Sequence, residues 1–385
     1  MRSHRHLHRL PAVTAAVLAL AAAQAGAQSY TFTDLGVLAG TASSGRGING
    51  AGDVVGRSTI PDGGTSAALW KNGSTSDLGS LGAGGGIAFA VNDAGQAVGS
   101  SRSLPGAQTH ATLWAGNAVS DLGTLGGTDS FAYALNNAAQ AVGYSTVRSN
   151  NAIAHAVLWD AGQLVDLNPA GYSASVANGI NLGGRIAGYA QLANTRISHE
   201  VAWGGAGFAD LGTLGGVNSQ ATGINDAGQV VGVSDLAQLN VTHAVLWNGR
   251  VATDLGTLGG RSSAASAINS AGLVVGSSNT MGNLAYHAAL WNAGAVTDLN
   301  SFLDAAQAST WDLQFAFAIN ASGSITGQAV NNFTHETHAY LMSAAAAPPV
   351  PEPTSLALML VGRGLPAWCC GVEWVDRQIH ASARH

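Results

Sequence analysis

A chain of 385 residues is long enough for one large domain or two ordinary ones. Only 9% of its residues are Asp, Glu, Lys or Arg, against about 25% in a typical soluble protein, so its surface must be built from uncharged polar and small residues. The net charge is −6, with 18 acidic against nine basic residues between Gln28 and Ser343, which argues against nucleic acid as a partner, and the only cysteines, adjacent Cys369 and Cys370, leave that stretch without disulfides or thiol chemistry.

The chain opens on MRSHRHLHRL. Arg2, Arg5 and Arg9 make a basic leader, Val13–Ala23 is a short apolar run, and Ala25-Gly26-Ala27 fits an A-x-A cleavage site. Residues 1–27 are therefore expected to be a secretory signal peptide cleaved after Ala27, because the apolar run is shorter than the ~20 residues that a membrane span needs.

The body then repeats. An Asp-Leu pair recurs at Asp34, Asp77, Asp121, Asp166, Asp210, Asp254 and Asp298, in steps of 43 to 45 residues. An Asn follows each pair: Asn49, Asn92, Asn136, Asn181, Asn225, Asn269 and, after a seven-residue insertion, Asn320. Next comes a Trp at Trp70, Trp114, Trp159, Trp203, Trp247 and Trp291, with Met342 in the seventh slot. A His stands four residues before that slot at His110, His155, His199, His243, His287 and His338, and Ser66 takes the place in the first repeat. Each unit reads as four short strands. In the fifth these are Ser219–Asn225, Gln229–Ser234, His243–Trp247 and Val251–Leu258, separated by turns or loops. No helical period persists.

Four-stranded units of about 44 residues have the size of β-propeller blades, and seven lies within the usual number. The ends are out of phase in a telling way. A lone fourth strand, TFTDLG, precedes the first repeat, and the last repeat stops after a third strand, HAYLM. In a ring the first would complete the last and remove an open edge. The expected fold is all-β, a seven-bladed β-propeller over residues 28–343 closed by the N-terminal strand, with a β-solenoid as the alternative. The thrice-repeated DLGTLGG is then the corner between blades, where glycine permits angles that side chains forbid. The Asp-Leu-Gly, Ile-Asn-x-x-Gly and His-Ala-x-Leu-Trp elements resemble the HAF repeats of bacterial extracellular proteins, whose tripeptide is similar to His338-Ala339-Tyr340 here. The resemblance spans about Thr31 to Ser343 and implies no particular biochemical activity.

Catalysis needs one asymmetric constellation, whereas a fold needs the same residue in every blade. The repeated Asp121, Asp210 and Asp254, His110, His155, His243 and His287, and Trp114, Trp159, Trp247 and Trp291 are therefore expected to be structural: the carboxylates capping corners, the imidazoles bridging strands, the indoles filling space and placing N–H groups on partners. Acids outside the frame, Asp62, Asp129, Asp160, Glu200, Asp235, Asp304, Asp312 and Glu336, are expected to be solvated loop charges. His335 and His338 are too close, and in the wrong setting, for a zinc-protease motif. No catalytic set, cofactor or metal site is expected. The loops between strands two and three vary most, carry Arg148 and Arg196, and are the expected binding surface. The insertion SFLDAAQASTWDL is expected to form a short helix or flap over Trp311.

Residues 344–349 read as an Ala/Pro linker, and residues 350–385 as a tail. Pro351, Glu352 and Pro353, followed by an apolar run, resemble the PEP-CTERM sorting signal of Gram-negative bacteria, which implies processing by exosortase-type machinery. The resemblance stops early, since Arg363 interrupts the apolar run and Pro366 would break a helix, so the tail reads as degenerate. The sequence thus leads to a secreted or surface-bound protein of a Gram-negative bacterium that meets a membrane only transiently, through this tail. Its expected role is a non-enzymatic scaffold for extracellular polysaccharide or a surface protein in a biofilm matrix. A polysaccharide hydrolase or lyase, and a purely structural envelope component, are the alternatives.

Overall fold

The computed structural model describes residues 29–103, 108–148, 150–204 and 207–345. The cleavage site at Ala27 and the Pro351–Pro353 motif lie outside the described residues. Seven separate four-stranded antiparallel sheets make up the body, each built from consecutive strands paired one-two-three-four, except the last. In blade five the strands are Gly215–Ile224, Val230–Leu236, Thr242–Asn248 and Val251–Asp254. The first begins four residues earlier than its apolar pattern suggests. The fourth ends at Asp254 rather than Leu258, because Leu258 gives its N–H to Ser278 of the next blade instead of to its own ladder.

The ring closes as a seven-bladed β-propeller. Strand Tyr30–Gly36 pairs antiparallel with Thr337–Ala344, Tyr30 facing Ala344 and Asp34 facing Tyr340, and becomes the fourth strand of blade seven. Strand one of blade one also packs against the second and third strands of blade seven. A solenoid is excluded by this closure. The insertion before blade seven supports the joint. It forms a 3-10 turn at Leu299–Phe302 and a six-residue helix at Ala305–Thr310, whose N-terminus is held by a reciprocal capping box between Asp304 and Gln307. Phe302 meets Tyr30 edge to face at 5.0 Å, and Trp311 lies 6.2 Å from Phe32.

The apolar core is a series of seams. Val55 and Ala67 of blade one, for example, pack with Ala88, Ala97 and Trp114 of blade two. Every first strand carries a β-bulge at one conserved place in the frame, between Ala88 and Ala90 in blade two and between Ala132 and Ala134 in blade three. Opposite it, strand two always holds a glycine. A Cβ on Gly99 would stand 1.9 Å from the carbonyl oxygen of Ile87, and Gly143 meets the same obstacle at 1.8 Å from Phe131. The bulge pushes the strands together there, and the recurrent V-V-G, A-V-G and I-T-G signatures follow from it.

Candidate functional site

The repeated residues are consumed by the scaffold. In the corner DLGTLGG of blade three's entry, Asp121 accepts the Gly123 N–H at 2.8 Å and lies 2.7 Å from Nδ1 of His110 on strand three. Gly123 and Gly126 sit at φ +80° and +91°, the left-handed region that glycine tolerates. Thr124 accepts the Gly126 N–H and donates to the Gly127 carbonyl, while the Leu125 N–H reaches Ser145 on the next blade. The corner thus ties the outer strand of one blade to the second strand of its neighbour. Equivalent His–Asp pairs are His155–Asp166, His199–Asp210, His243–Asp254 and His338–Asp34 at 2.7 to 2.9 Å, and His287–Asp298; in blade one Ser66 bonds Asp77.

The tryptophans fill the seams, all six being buried. Their indole N–H groups behave differently from expectation. Trp114 donates to the Gly79 carbonyl and Trp203 to the Leu167 carbonyl, whereas Trp70, Trp159, Trp247 and Trp291 place theirs on no partner. The indole is retained for volume, and its polar edge is met only where the neighbouring corner comes close enough.

Around the axis, three layers of side chains succeed one another. At the end bearing the turns between strands one and two, the seven frame asparagines form a closed circle. Each Nδ2 donates to the backbone carbonyl of the asparagine in the next blade at 3.0 to 3.3 Å, and Asn320 donates to Asn49 to complete it. Each Oδ1 accepts the N–H four residues on, closing its own turn. Above the asparagines, Ile48, Val91, Leu135, Ile180, Ile224, Ile268 and Ile319 make an aliphatic ring.

The third layer departs from the repeat. The residue left unpaired by each bulge is Arg46, Phe89, Tyr133, Asn178, Thr222, Ser266 or Phe317, and all seven line a cavity of about 230 Å³ on the axis. A bulge re-aims a side chain, and here it turns one residue per blade inward while the flanking Gly and Ala remain small. The layer has two sides. Phe317, Arg46, Phe89 and Tyr133 form a contiguous arc over blades seven, one, two and three. The guanidinium carbon of Arg46 stands 4.0 Å above the Phe317 ring, and Phe89 meets Tyr133 edge to face at 5.0 Å. Phe315 stacks behind Phe317, and Phe131 and Tyr144 stack on each other beside Tyr133. Facing them are Asn178, which donates to the Ala221 carbonyl, and Thr222, which donates to that of Ala265.

The electrostatics of this layer rest on Arg46. Its Nε donates to Ser44 Oγ at 3.3 Å, and among the described residues no carboxylate lies within ion-pairing distance. Burial, and then the charge of Arg57, lower the guanidinium to about 10, so it stays cationic at neutral pH. Burial raises the phenols of Tyr133 and Tyr189, and takes that of Tyr144 to about 12; all three are neutral donors.

The loops between strands two and three gather at the opposite end from the asparagine circle. A groove of about 570 Å³ lies there between blades one and two, lined by Arg57, Asp62 and Arg102. At this seam Gly86 occupies the place where Ser130, Ser175, Ser219 and Ser263 bond the preceding blade. The acids outside the frame do not converge. Asp62 accepts the Gly64 N–H of its own turn, Asp129 the Thr109 N–H of the preceding blade, Asp160 accepts from Gln140, Asp235 from Asn218, Asp304 caps a helix, and Glu336 accepts from Thr334. Asp312 lies 3.6 Å from Nε2 of His287. His335 sits in a left-handed turn at φ +60° before the final strand, and no group of three metal-ligating side chains occurs among the described residues.

Asp129, Asp160, Asp235 and Asp312 lie within strands rather than in solvated loops, and Glu200 departs furthest from that expectation. It is not a loop charge but a fully buried strand-three residue in the slot that holds Ala111, Ala156, Ala244 and Ala288 elsewhere, and neither carboxyl oxygen has a partner. Burial raises this carboxyl to about 8. The axial layer was the feature that sequence reading missed. The signal was available: each member stands three residues before the frame Asn, at a position that varies between neighbours that do not.

No protein-family model and no curated protein sequence matches the chain. Among solved structures it is similar to a puromycin-hydrolysing peptidase of Mycobacterium tuberculosis, with 13% identity and a TM-score of 0.49 over 84% of this chain and 57% of that one. It is also similar to TolB from Acinetobacter baumannii, with 12% identity and a TM-score of 0.42 over 66% of this chain and 64% of that one. The chain spans less than two thirds of the length of either.

Proposed function

We propose that this protein is an exported, non-enzymatic binding scaffold of the cell surface or biofilm matrix, holding extracellular polysaccharide or a surface protein. The observation that supports it is the division of labour between repeated and unrepeated residues. The His–Asp pairs, Trp residues and Asn circle recur around the ring and are occupied in holding strands and blades together. Beyond single exceptions such as Ser66, Glu200 and the insertion before blade seven, variation between blades is concentrated in the axial layer and the loops between strands two and three, so a largely uniform frame displays non-uniform side chains. The leader ending at Ala27 and the Pro351–Pro353 motif support export and surface sorting.

Co-sedimentation of the purified chain with the extracellular polysaccharide of its host tests this reading, with reducing and unsaturated ends assayed in the same tube. Retention without new ends is the expected result. New reducing ends would replace it with hydrolysis, new unsaturated ends with lyase chemistry, and absence of retention would turn the search to protein partners or a structural role.

A further inference from the structure

Four features of the axial cavity point to one ligand chemistry. Its wall carries a cation without a carboxylate partner, Arg46, in a body where acids outnumber bases two to one. A desolvated and unneutralised guanidinium is costly unless an anion completes it, and its planar fork matches a carboxylate. Beside it stand the rings of Phe89 and Tyr133, which offer apolar surface, while Phe317, between the guanidinium and Phe315, holds the cation in place. Opposite are Asn178 and Thr222, whose donors are held by backbone carbonyls and whose oxygens keep lone pairs that can accept from sugar hydroxyls. The fourth feature is size. At about 230 Å³ the cavity falls below the ~300–1,000 Å³ of pockets that enclose drug-sized ligands, which suits one ring rather than a threaded chain.

We propose that this cavity binds a single carboxylated sugar, a uronic acid unit at the end of an acidic polysaccharide, with its carboxylate on Arg46, which Phe317 holds in place, and its apolar face on Phe89 and Tyr133. Arg57 and Arg102 line the separate groove at the loop-bearing end together with Asp62, which leaves that side of blades one and two net positive. The inference rests on the binding reading above and names the substrate class for it.

Calorimetric titration of the purified full-length chain with glucuronate, glucose and acetate tests it. Glucuronate should bind at least about tenfold more tightly than glucose, which lacks the charge, and than acetate, which lacks the ring. Arg46→Gln should weaken glucuronate about 10- to 100-fold, and Phe317→Leu, which keeps the cation but removes the ring that holds it, about 3- to 10-fold, with both variants checked for an unchanged melting transition. Equal affinity for glucose and glucuronate, a folded Arg46→Gln or Phe317→Leu variant that binds as the parent does, or no glucuronate binding at all, would overturn the proposal. A chain that sediments with polysaccharide but ignores glucuronate would leave the scaffold role standing and move the binding to the loops; a chain that does neither would sink both.

Discussion

His338 Nδ1 lies 2.9 Å from Asp34 Oδ1, a contact across 304 residues that joins the last strand of the ring to the first. In the other blades the same pair merely braces neighbouring strands of one sheet. Here it fastens the one sheet among the described residues whose strands are not consecutive, with Trp311 packed against the imidazole at 5.0 Å. The hydrogen bond to Asp34 raises the His338 pKa, partly opposed by burial. A raised folded-state value means that the charged pair contributes fully below the ordinary His value near ~6.5 and fades as pH rises through the folded one. His338→Gln should therefore lower stability by roughly 1 kcal/mol at acidic pH and by less at alkaline pH, since the pair is partly solvated. Melting curves of parent and variant on both sides of neutrality check this; a pH-independent difference would refute it.

The asparagine circle should be costlier to break than any His–Asp pair. Asn225→Ala removes a donor to the Asn269 carbonyl and an acceptor for the Gln229 N–H, both inside a buried layer. The Gln229 N–H is left orphaned, while the Asn269 carbonyl keeps the Gly272 N–H, and the loss predicted is about 1–3 kcal/mol. Denaturant titration of this variant beside His243→Ala should rank Asn225 first.

Glu200 should destabilise its own protein near neutrality. A carboxyl held up to about 8 by burial favours folding while protonated, and that advantage is lost as pH rises from the unfolded value toward the folded one. Glu200→Gln should raise the stability by roughly 4 kcal/mol at pH ~8 and change it little at pH ~4. Melting temperature against pH should flatten in the variant; an unchanged profile would show the carboxylate to be accommodated.

Ala139 occupies a turn position with φ +62°, where blades two, four, five, six and seven use Gly95, Gly184, Gly228, Gly272 and Gly323. Left-handed angles cost a side chain about 1–2 kcal/mol, and glycine returns part of that gain as unfolded-state entropy. Ala139→Gly should stabilise by roughly 0.5–1 kcal/mol in chemical denaturation, and a loss of stability would contradict the strain.

The repeat and its closure were legible because they rest on residue identity at fixed spacing: Asp34 without a preceding blade and His338 without a following strand announce each other. Strand lengths were less so, since whether Leu258 joins a ladder depends on Ser278 in another blade. The axial layer hid for the same reason. A bulge is a mismatch between two strands, and nothing within one blade sets Phe89 or Tyr133 apart from an ordinary alternating strand; only the seven repeats laid side by side show the variable position before each frame Asn. Glu200 could have been placed, because it directly follows a frame His and so inherits the inward direction of Ala244. Its lack of a partner could not.

The asparagine circle also bears on how such a molecule can change in number of blades. Every hydrogen bond in it runs the same way, from one blade's amide to the next blade's carbonyl, so each repeat brings one donor and one acceptor. A duplicated stretch of one period arrives already balanced: it interrupts one link, forms two, and strands no polar group. Nothing in a single repeat therefore counts to seven. The circle sets no copy number of its own, and as far as its hydrogen bonds go the gene can lengthen or shorten by whole units without inventing a new joint.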